Sequence, residues 1–94
     1  MTTAPCALCG RTAPLTFHHL IPRKVHRRQR FRSGYSREAL AAGIEVCRLC
    51  HRAIHRFHDE MTLATRLNTL AALKDDPRLA RHAAWAARQR IRTD

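Results

Sequence analysis

Two Cys-x-x-Cys pairs, Cys6/Cys9 and Cys47/Cys50, constrain the fold of this chain more than any other feature. Thiolates at this spacing can turn onto one metal ion, and a structural zinc site takes four such ligands in a tetrahedron. If both pairs bind one ion, the start of the chain must lie against its middle. Two disulfides or a redox dithiol are the alternatives. They are disfavoured because residues 1–10 lack the pattern of a signal peptide and no thioredoxin-like pattern surrounds the cysteines.

The size and charge of the chain indicate how many domains it forms and what kind of partner it binds. It has 94 residues and a formal charge of +11. So short a chain is expected to form one domain, 1–94, with a modest core that a metal helps to stabilise. The positive excess favours a nucleic-acid partner, because each neutralised phosphate releases counterions. A basic surface that serves solubility, or that docks on an acidic subunit, is the alternative. No apolar run is long enough to span a bilayer, so we expect a cytoplasmic protein without membrane contact.

The segment that follows the second cysteine pair carries three histidines at helical spacing, His51, His55 and His58. On a helix that turns roughly 100° per residue they fall within an arc of about 60°. Two arginines flank them, Arg52 and Arg56. This helix would therefore present a ligand face beside a phosphate-binding face.

A second source of histidines lies upstream. Residues 15–21 are rich in strand formers, and Pro22 ends the run. The run contains the adjacent pair His18 and His19. Neighbouring side chains of a regular strand point to opposite faces, so both histidines can serve one site only if the strand twists or bends at the pair.

The next segment is strongly basic. Residues 23–32 contain six basic side chains with His26 and Phe31 between them: Arg23, Lys24, Arg27, Arg28, Arg30 and Arg32. A solvated charge run is one interpretation. The favoured one is an extended arm that follows a nucleic-acid backbone and becomes ordered on binding.

Local signals place the remaining elements around these motifs. Residues 1–5 are expected to fray. Ser36 can cap a short helix over 37–42, and a brief strand over 44–46 leads into Cys47.

The last third of the chain is predicted to be helical. Apolar spacing over 61–73 predicts a helix that is interrupted at Asn68, whose side chain can cap a second segment. Asp76 is the expected N-cap of a last helix over 77–90, with proline as its first residue. Trp85 in that helix is expected to anchor the core, and stacking on a base is the alternative.

Taken together, the motifs resemble the HNH endonucleases, the ββα-metal nucleases. The motifs are Cys6-x-x-Cys9-Gly10, His18-His19-Leu20-Ile21-Pro22 and Cys47-x-x-Cys50-His51-x-x-x-His55. The tail is similar to small stand-alone bacterial HNH proteins in three features, Asn68-Thr69-Leu70, Asp76-Pro77 and Trp85 amid basic residues. The resemblance implies an α+β fold with a ββα-metal core at about 6–58, a basic insertion at 23–35 and a C-terminal helical extension at 59–92.

The resemblance also implies roles for individual residues. A structural Zn²⁺ would be held by Cys6, Cys9, Cys47 and Cys50. A catalytic divalent cation (Mg²⁺, Mn²⁺, Ni²⁺ or Zn²⁺) would be held by His18, His51 and His55, with His19 as the general base. The residues expected to bind nucleic acid are Arg23, Lys24, Arg27, Arg28, Arg30, Arg52 and Arg56.

The expected function is therefore a metal-dependent endonuclease that hydrolyses phosphodiester bonds of DNA. One position departs from the family pattern: Ala42 stands where the family has the asparagine that fixes the loop presenting the general base. Either another group takes over that task or catalysis is slower. A non-catalytic, zinc-stabilised nucleic-acid-binding module is the alternative function. A thiol-redox or zinc-storage protein is disfavoured because it would leave the paired histidines unexplained.

Three further histidines are less defined by the sequence. His58 could be a fourth ligand, a group that supports a ligand, or a phosphate contact. His26 and His82 follow no pattern and are expected at the surface.

Overall fold

The computed structural model describes residues 3–90 and has an α+β fold, as expected. The elements in chain order are β1 (Thr3–Pro5), β2 (Thr12–His19), a 3-10 helix (Arg23–Val25), α1 (Gln29–Gly34), α2 (Arg37–Ala41), β3 (Gly43–Cys47), α3 (Arg48–Phe57), α4 (Glu60–Thr65), α5 (Leu70–Asp75) and α6 (Pro77–Ala86). None of the helices within this part of the chain has the length and apolarity needed to cross a membrane.

The three strands form one antiparallel sheet in the order β1-β2-β3. The central strand β2 begins at Thr12, earlier than predicted, because Ala13 and its neighbours pair with β1. The expectation of a frayed end is therefore wrong for Thr3–Pro5, whereas residues 1–2 lie outside the described residues. On its other side β2 pairs with β3, which places His18 opposite Ile44.

The hairpin of β2 and β3 is followed directly by the histidine-bearing helix. Cys47 ends β3 and is also the N-cap residue of α3. The inner side of α3 buries Ala53 and Ile54, which pack against Leu63, Leu73 and Leu79 of the three C-terminal helices. This cluster fixes α3 against the C-terminal helices, and the histidine side of α3 meets β2 at His18.

Two of the predicted helix caps are confirmed. The Ser36 hydroxyl accepts a hydrogen bond from the Ala39 N–H, and the Asp76 carboxylate accepts one from the Leu79 N–H, with Pro77 as the first residue of α6. Each cap satisfies one backbone donor that the helix itself leaves free.

The interruption near Asn68 is also confirmed, but its cap is not the predicted residue. The Thr69 hydroxyl accepts a hydrogen bond from the Ala72 N–H at the start of α5. The Asn68 amide instead donates to the Ala64 carbonyl at the end of the preceding helix. The cap of α5 is therefore one residue later than expected.

The basic segment is folded, which corrects the prediction of an extended arm. Val25 is 3% exposed and Phe31 is 1% exposed, and both pack with Ile21 and Ala64. Burial of these apolar side chains supplies the free energy that orders the segment despite its charge. The six basic side chains of the segment stay exposed around this apolar anchor.

The last helix is shorter than predicted and turns its tryptophan outward. The helix α6 ends at Ala86, and Trp85 is 46% exposed. The expectation that Trp85 anchors the core is therefore wrong, because Leu79 and Ala86 occupy the inward positions instead. Residues 91–92 of the expected extension lie outside the described residues.

Candidate metal centres

Four cysteine sulfurs meet where the N-terminal turn reaches the junction of β3 and α3. The Sγ atoms of Cys6, Cys9, Cys47 and Cys50 all lie within 4.8 Å of one another. Cys9 Sγ and Cys47 Sγ are 3.8 Å apart, and all four thiols are free. A disulfide would need a separation of about 2.05 Å. The cluster is therefore a set of thiol ligands that could hold a metal ion such as zinc.

Backbone geometry explains how the first cysteine pair reaches this position. The Gly10 N–H donates to the Cys6 carbonyl at 2.9 Å, and Gly10 has a φ of 78°, which favours a residue without a side chain. The Ala7 N–H donates to the Glu45 carbonyl at 3.0 Å. These bonds close the turn and attach it to β3, beside the second pair.

The thiols differ in how easily they ionise. A hydrogen bond from Cys50 is the main cause that lowers the pKa of Cys6, and the Cys9 N–H adds to it. The same hydrogen bond raises the pKa of Cys50, and burial raises the pKa of Cys9. A bound cation displaces the protons of coordinating thiols in general, so the binding of an ion to this cluster would depend on pH.

Three histidines form a second cluster between β2 and α3. Ring nitrogens of His18, His51 and His55 lie within 4.8 Å of one another. The ring centroid of His18 lies 5.4 Å from the ring centroid of His51 and 5.2 Å from that of His55. The strand β2 contributes the first, and α3 contributes the other two one helical turn apart. The sequence prediction that these three residues meet in space agrees with this geometry.

The histidine cluster opens to solvent on one side. His55 is exposed and His51 is half-buried. A shallow groove of about 220 Å³ adjoins them and is lined by Thr16, Arg48, His51, Arg52 and His55. The cluster therefore has room for a further ligand or a substrate group beside the imidazoles, unlike the enclosed cysteine cluster.

His18 is the buried member of the cluster. It is 1% exposed, and within residues 3–90 neither of its ring nitrogens has a hydrogen-bond partner. Burial lowers the pKa of His18 to about 4, with further lowering from His55 and His51. A buried polar group without a partner costs about 1–3 kcal/mol. A divalent cation shared with His51 and His55 would give one of these nitrogens a partner, so the donor set fits such an ion.

Thr16 supports the cluster, a role that sequence reasoning missed. Its hydroxyl donates to the Val46 carbonyl at 3.1 Å and lies 2.7 Å from Nδ1 of His51. Because the hydroxyl proton is donated to the carbonyl, the hydroxyl oxygen accepts a hydrogen bond from the Nδ1–H of His51. That hydrogen bond leaves the lone pair on Nε2, the tautomer that binds a metal. The sequence did contain a signal for this role, because residues two apart in a strand, such as Thr16 and His18, lie on the same face.

His19 lies on the opposite face of β2 from His18. Pairing with β3 is regular through both residues, so the bend that one common site was expected to require is not seen. The His19 ring contacts Phe17 at a centroid distance of 4.9 Å and lies 5.9 Å from the ring of His26. Burial, then His26, then the charge of Arg23 lower the pKa of His19, which keeps its imidazole neutral at pH 7.

His26 and His58 both have contacts that the sequence did not indicate. Nε2 of His26 donates to the Ile21 carbonyl at 2.5 Å, so its ring is held near His19. His58 is absent from the histidine cluster, because α3 ends at Phe57 and the backbone of His58 is extended. Its Nε2 lies 3.1 Å from Oδ2 of Asp76, and this contact ties the end of α3 to the start of α6.

The seven residues predicted to bind nucleic acid are all exposed: Arg23, Lys24, Arg27, Arg28, Arg30, Arg52 and Arg56. Arg52 lines the groove beside the histidine cluster, as does Arg48, which the prediction omitted. Lys24 forms an ion pair with Glu60 at 3.6 Å on the surface. Such exposed pairs contribute little to stability, so the side chain stays available to a phosphate.

Comparison with known proteins identifies one informative relative. The chain is 35% identical over 85 residues to a protein of Bacillus subtilis (strain 168) named "Uncharacterized protein YisB". The aligned region covers 89% of this chain and 74% of that protein. No family model matches the chain, and no solved structure matches it.

Proposed function

The chain belongs to the same family as YisB of Bacillus subtilis, and we propose that it is a metal-dependent endonuclease of the HNH type that hydrolyses phosphodiester bonds of DNA. One observation carries the proposal. His18 is buried with both ring nitrogens lacking a partner among the described residues, and its ring stands against two histidines at the edge of an open groove. A cluster of this kind is more costly to fold than an apolar one, so a ligand role explains it better than a structural role.

Three imidazoles, those of His18, His51 and His55, would hold a divalent cation in this proposal. Such a cation supplies positive charge to the phosphate oxygens and to the leaving oxygen. The Thr16 hydroxyl keeps Nε2 of His51 free for this task. The exposed side of the cluster is where the scissile phosphate would enter, next to Arg48 and Arg52.

His19 is the proposed general base. Its lowered pKa keeps the ring neutral, as a proton acceptor must be at physiological pH. The ring takes a proton from water as the water oxygen bonds to phosphorus and the bond from phosphorus to the 3′ oxygen breaks. The products would be a 5′-phosphate and, after protonation of the leaving oxygen, a 3′-hydroxyl. His19 lies on the opposite face of β2 from His18, but it is the last residue of the strand. In this proposal its ring reaches the water around the end of the strand.

The backbone next to His19 compensates in part for the missing asparagine. The Leu20 N–H, directly after His19, donates to the Ala42 carbonyl at 3.1 Å. This bond attaches the end of β2 to the residue that stands in the asparagine position. The backbone thus restrains the segment that an asparagine side chain would otherwise fix.

The cysteine cluster has a structural role in the proposal. Four thiolates leave a zinc ion no open coordination position, so it would stabilise the fold without taking part in the reaction. It would join the N-terminal turn to the start of α3, and thereby fix His51 relative to β2.

A non-catalytic, zinc-stabilised nucleic-acid-binding module is the second candidate. Two observations favour it: the His19 ring packs on Phe17 and His26 away from the cluster, and Ala42 lacks a side-chain hydrogen-bonding group. Both candidates bind nucleic acid through the same basic surface. Only the enzyme cleaves it.

A plasmid nicking assay separates the two. We expect purified protein to nick supercoiled DNA with at least one of Mg²⁺, Mn²⁺, Ni²⁺ or Zn²⁺ and to stop when EDTA is added. His19→Ala should keep DNA binding and lose cleavage. His58→Gln changes a histidine outside the cluster and should cleave like the unmodified protein. Folded protein that binds DNA but nicks nothing with any cation would refute the nuclease and leave the binding module.

A further inference from the structure

A second groove, lined by aromatic and basic side chains, lies where α6 meets the end of α3. It has a volume of about 290 Å³ and is lined by Phe57, Arg78, Arg81, His82 and Trp85. The His82 ring centroid is 5.5 Å from that of Trp85 and 6.3 Å from that of Phe57. The guanidinium of Arg78 lies 4.5 Å from the centroid of the Phe57 ring.

The tryptophan of this groove is partly exposed to solvent. Trp85 is 46% exposed, although Ala86 beside it is fully buried. A core helix would gain free energy by turning the indole inward, so its outward position needs another reason. Exposed aromatic surface bordered by polar groups is typical of a binding site.

The charge around the tryptophan indicates what it binds. Arg78 and Arg81 are exposed, and neither forms an ion pair within residues 3–90. No acidic side chain lines the groove. A ligand that suits both features has a flat aromatic face and a negative charge close to it, which describes a nucleotide.

We propose that this groove binds a nucleotide of single-stranded nucleic acid, with its base stacked on Trp85 and its phosphates held by Arg78 and Arg81. The inference rests on the nucleic-acid part of the proposed function and adds a second contact to it. A single strand fits better than a duplex, because its bases can leave the stack and present their faces.

The groove is separate from the histidine cluster. Phe57 follows His55 by two residues, which places it about 200° around α3 from the ligand side. A strand in this groove therefore does not reach the proposed scissile site directly. Its loss should weaken binding and raise KM, and leave kcat at saturating substrate unchanged.

Tryptophan fluorescence tests the proposal, since Trp85 is the only tryptophan of the chain. A single-stranded oligothymidine is expected to quench the emission saturably, and the apparent affinity should fall as salt rises. Inorganic phosphate at the same ionic strength should leave the emission unchanged. An oligonucleotide that binds by anisotropy without quenching would show that the strand lies elsewhere and overturn the proposal. Equal quenching by a duplex would overturn the preference for a single strand.

Variants provide the second test, with anisotropy of a labelled oligonucleotide as the readout. Trp85→Ala should weaken binding by about tenfold or more, whereas Trp85→Phe should restore most of it, since a phenyl ring still stacks. Arg78→Ala with Arg81→Ala should reduce the salt dependence of binding. Arg66→Ala removes an exposed charge that lines neither groove and is the matched control. Unchanged affinity in Trp85→Ala, with the melting temperature retained, would refute the proposal.

The two proposals fail in different ways. Quenching without cleavage would support nucleotide binding in the groove and refute the nuclease activity. Cleavage without quenching would support the nuclease activity and refute nucleotide binding in the groove. His19→Ala should abolish cleavage and leave the quenching intact.

Discussion

The Thr16 hydroxyl and Nδ1 of His51 are 2.7 Å apart, and this contact links the central strand to the helix that carries two of the three clustered histidines. Since the hydroxyl also donates to the Val46 carbonyl, its oxygen accepts a hydrogen bond from the Nδ1–H of His51, which fixes the imidazole tautomer. A single short side chain thus determines which nitrogen of His51 keeps its lone pair for a ligand.

Thr16→Val tests this role, because valine keeps the shape of threonine and removes its oxygen. We expect the affinity of the histidine cluster for a divalent cation to fall by about tenfold or more, the usual cost of losing such a support. Isothermal titration with Ni²⁺ on protein already loaded with zinc at the cysteines would measure it. Thr16→Ser, which keeps the oxygen, is the control. Equal affinity in the valine variant would mean that Thr16 does not orient His51.

The cysteine cluster is expected to determine whether the protein folds. Removal of the metal with a strong chelator, or Cys50→Ser, should lower the melting temperature by about 15 °C or more, because the binding free energy of a structural metal is folding free energy. Circular dichroism on heating would measure the change. His55→Ala alters only the exposed member of the histidine cluster and should melt like the unmodified protein. A chelated protein with unchanged melting would contradict a structural metal.

When no cation is bound at the histidine cluster, acid should destabilise the protein through its buried histidine. The pKa of His18 is about 4 in the folded state against an ordinary value of 6.5, because burial disfavours the charged ring. Between these values the unfolded chain binds more protons, so folding free energy is retained above pH 6.5 and lost as the pH falls towards 4. The loss from His18 is on the order of 3 kcal/mol.

Urea unfolding at a series of pH values from 7 to about 4.5 would measure this dependence. The variant His18→Asn should lose less stability over the same range, and the difference between the two proteins isolates the histidine from the zinc-bound thiols. Parallel curves would mean that His18 is not the group responsible.

Much of the candidate site was predictable because it follows from short-range rules. The cysteine pairs, the spacing of His51 and His55, and the Asp76 cap each depend on residues within one or two turns of chain. The prediction that His18 joins these histidines came from a family resemblance, and the geometry agrees with it.

The errors arose where distant contacts or a competing cap decided the outcome. The arc that included His58 assumed that the helix continued, but Asp59 caps the next helix by accepting from the Thr62 N–H and so ends α3 early. The local sequence places Phe31 in a charged arm, because the Ala64 surface that buries it comes from a later helix. Trp85 shares its helical spacing with buried positions, and only the packing of α6 shows which side faces outward.

Gly43 should be intolerant of any side chain. A Cβ at this position would meet the Phe17 ring and the His18 carbonyl. The carbonyl is backbone and cannot move without disturbing the pairing of β2 with β3. Gly43→Ala should therefore lower the free energy of unfolding by about 1–3 kcal/mol, the usual cost of overpacking.

Chemical denaturation would measure that loss, and Gly34→Ala is the matched control, since a Cβ there meets nothing within 4 Å. Adding Phe17→Ala to the Gly43 variant should recover only part of the stability, because the contact with the His18 carbonyl remains. Full recovery would assign the clash to the ring alone.

Arg52 offers the sharpest test of how the groove beside the histidines meets nucleic acid. It is exposed, lines that groove together with His51 and His55, and belongs to the basic excess of the chain. If it contacts one phosphate, Arg52→Ala should weaken DNA binding about equally for all sequences and reduce the slope of log affinity against log salt by about one. Arg66→Ala removes the same charge from a surface that lines neither groove, so it should leave the slope unchanged. If both variants changed the slope alike, binding would depend on net charge and not on the groove. That result would refute the proposal that DNA binds beside the histidine cluster.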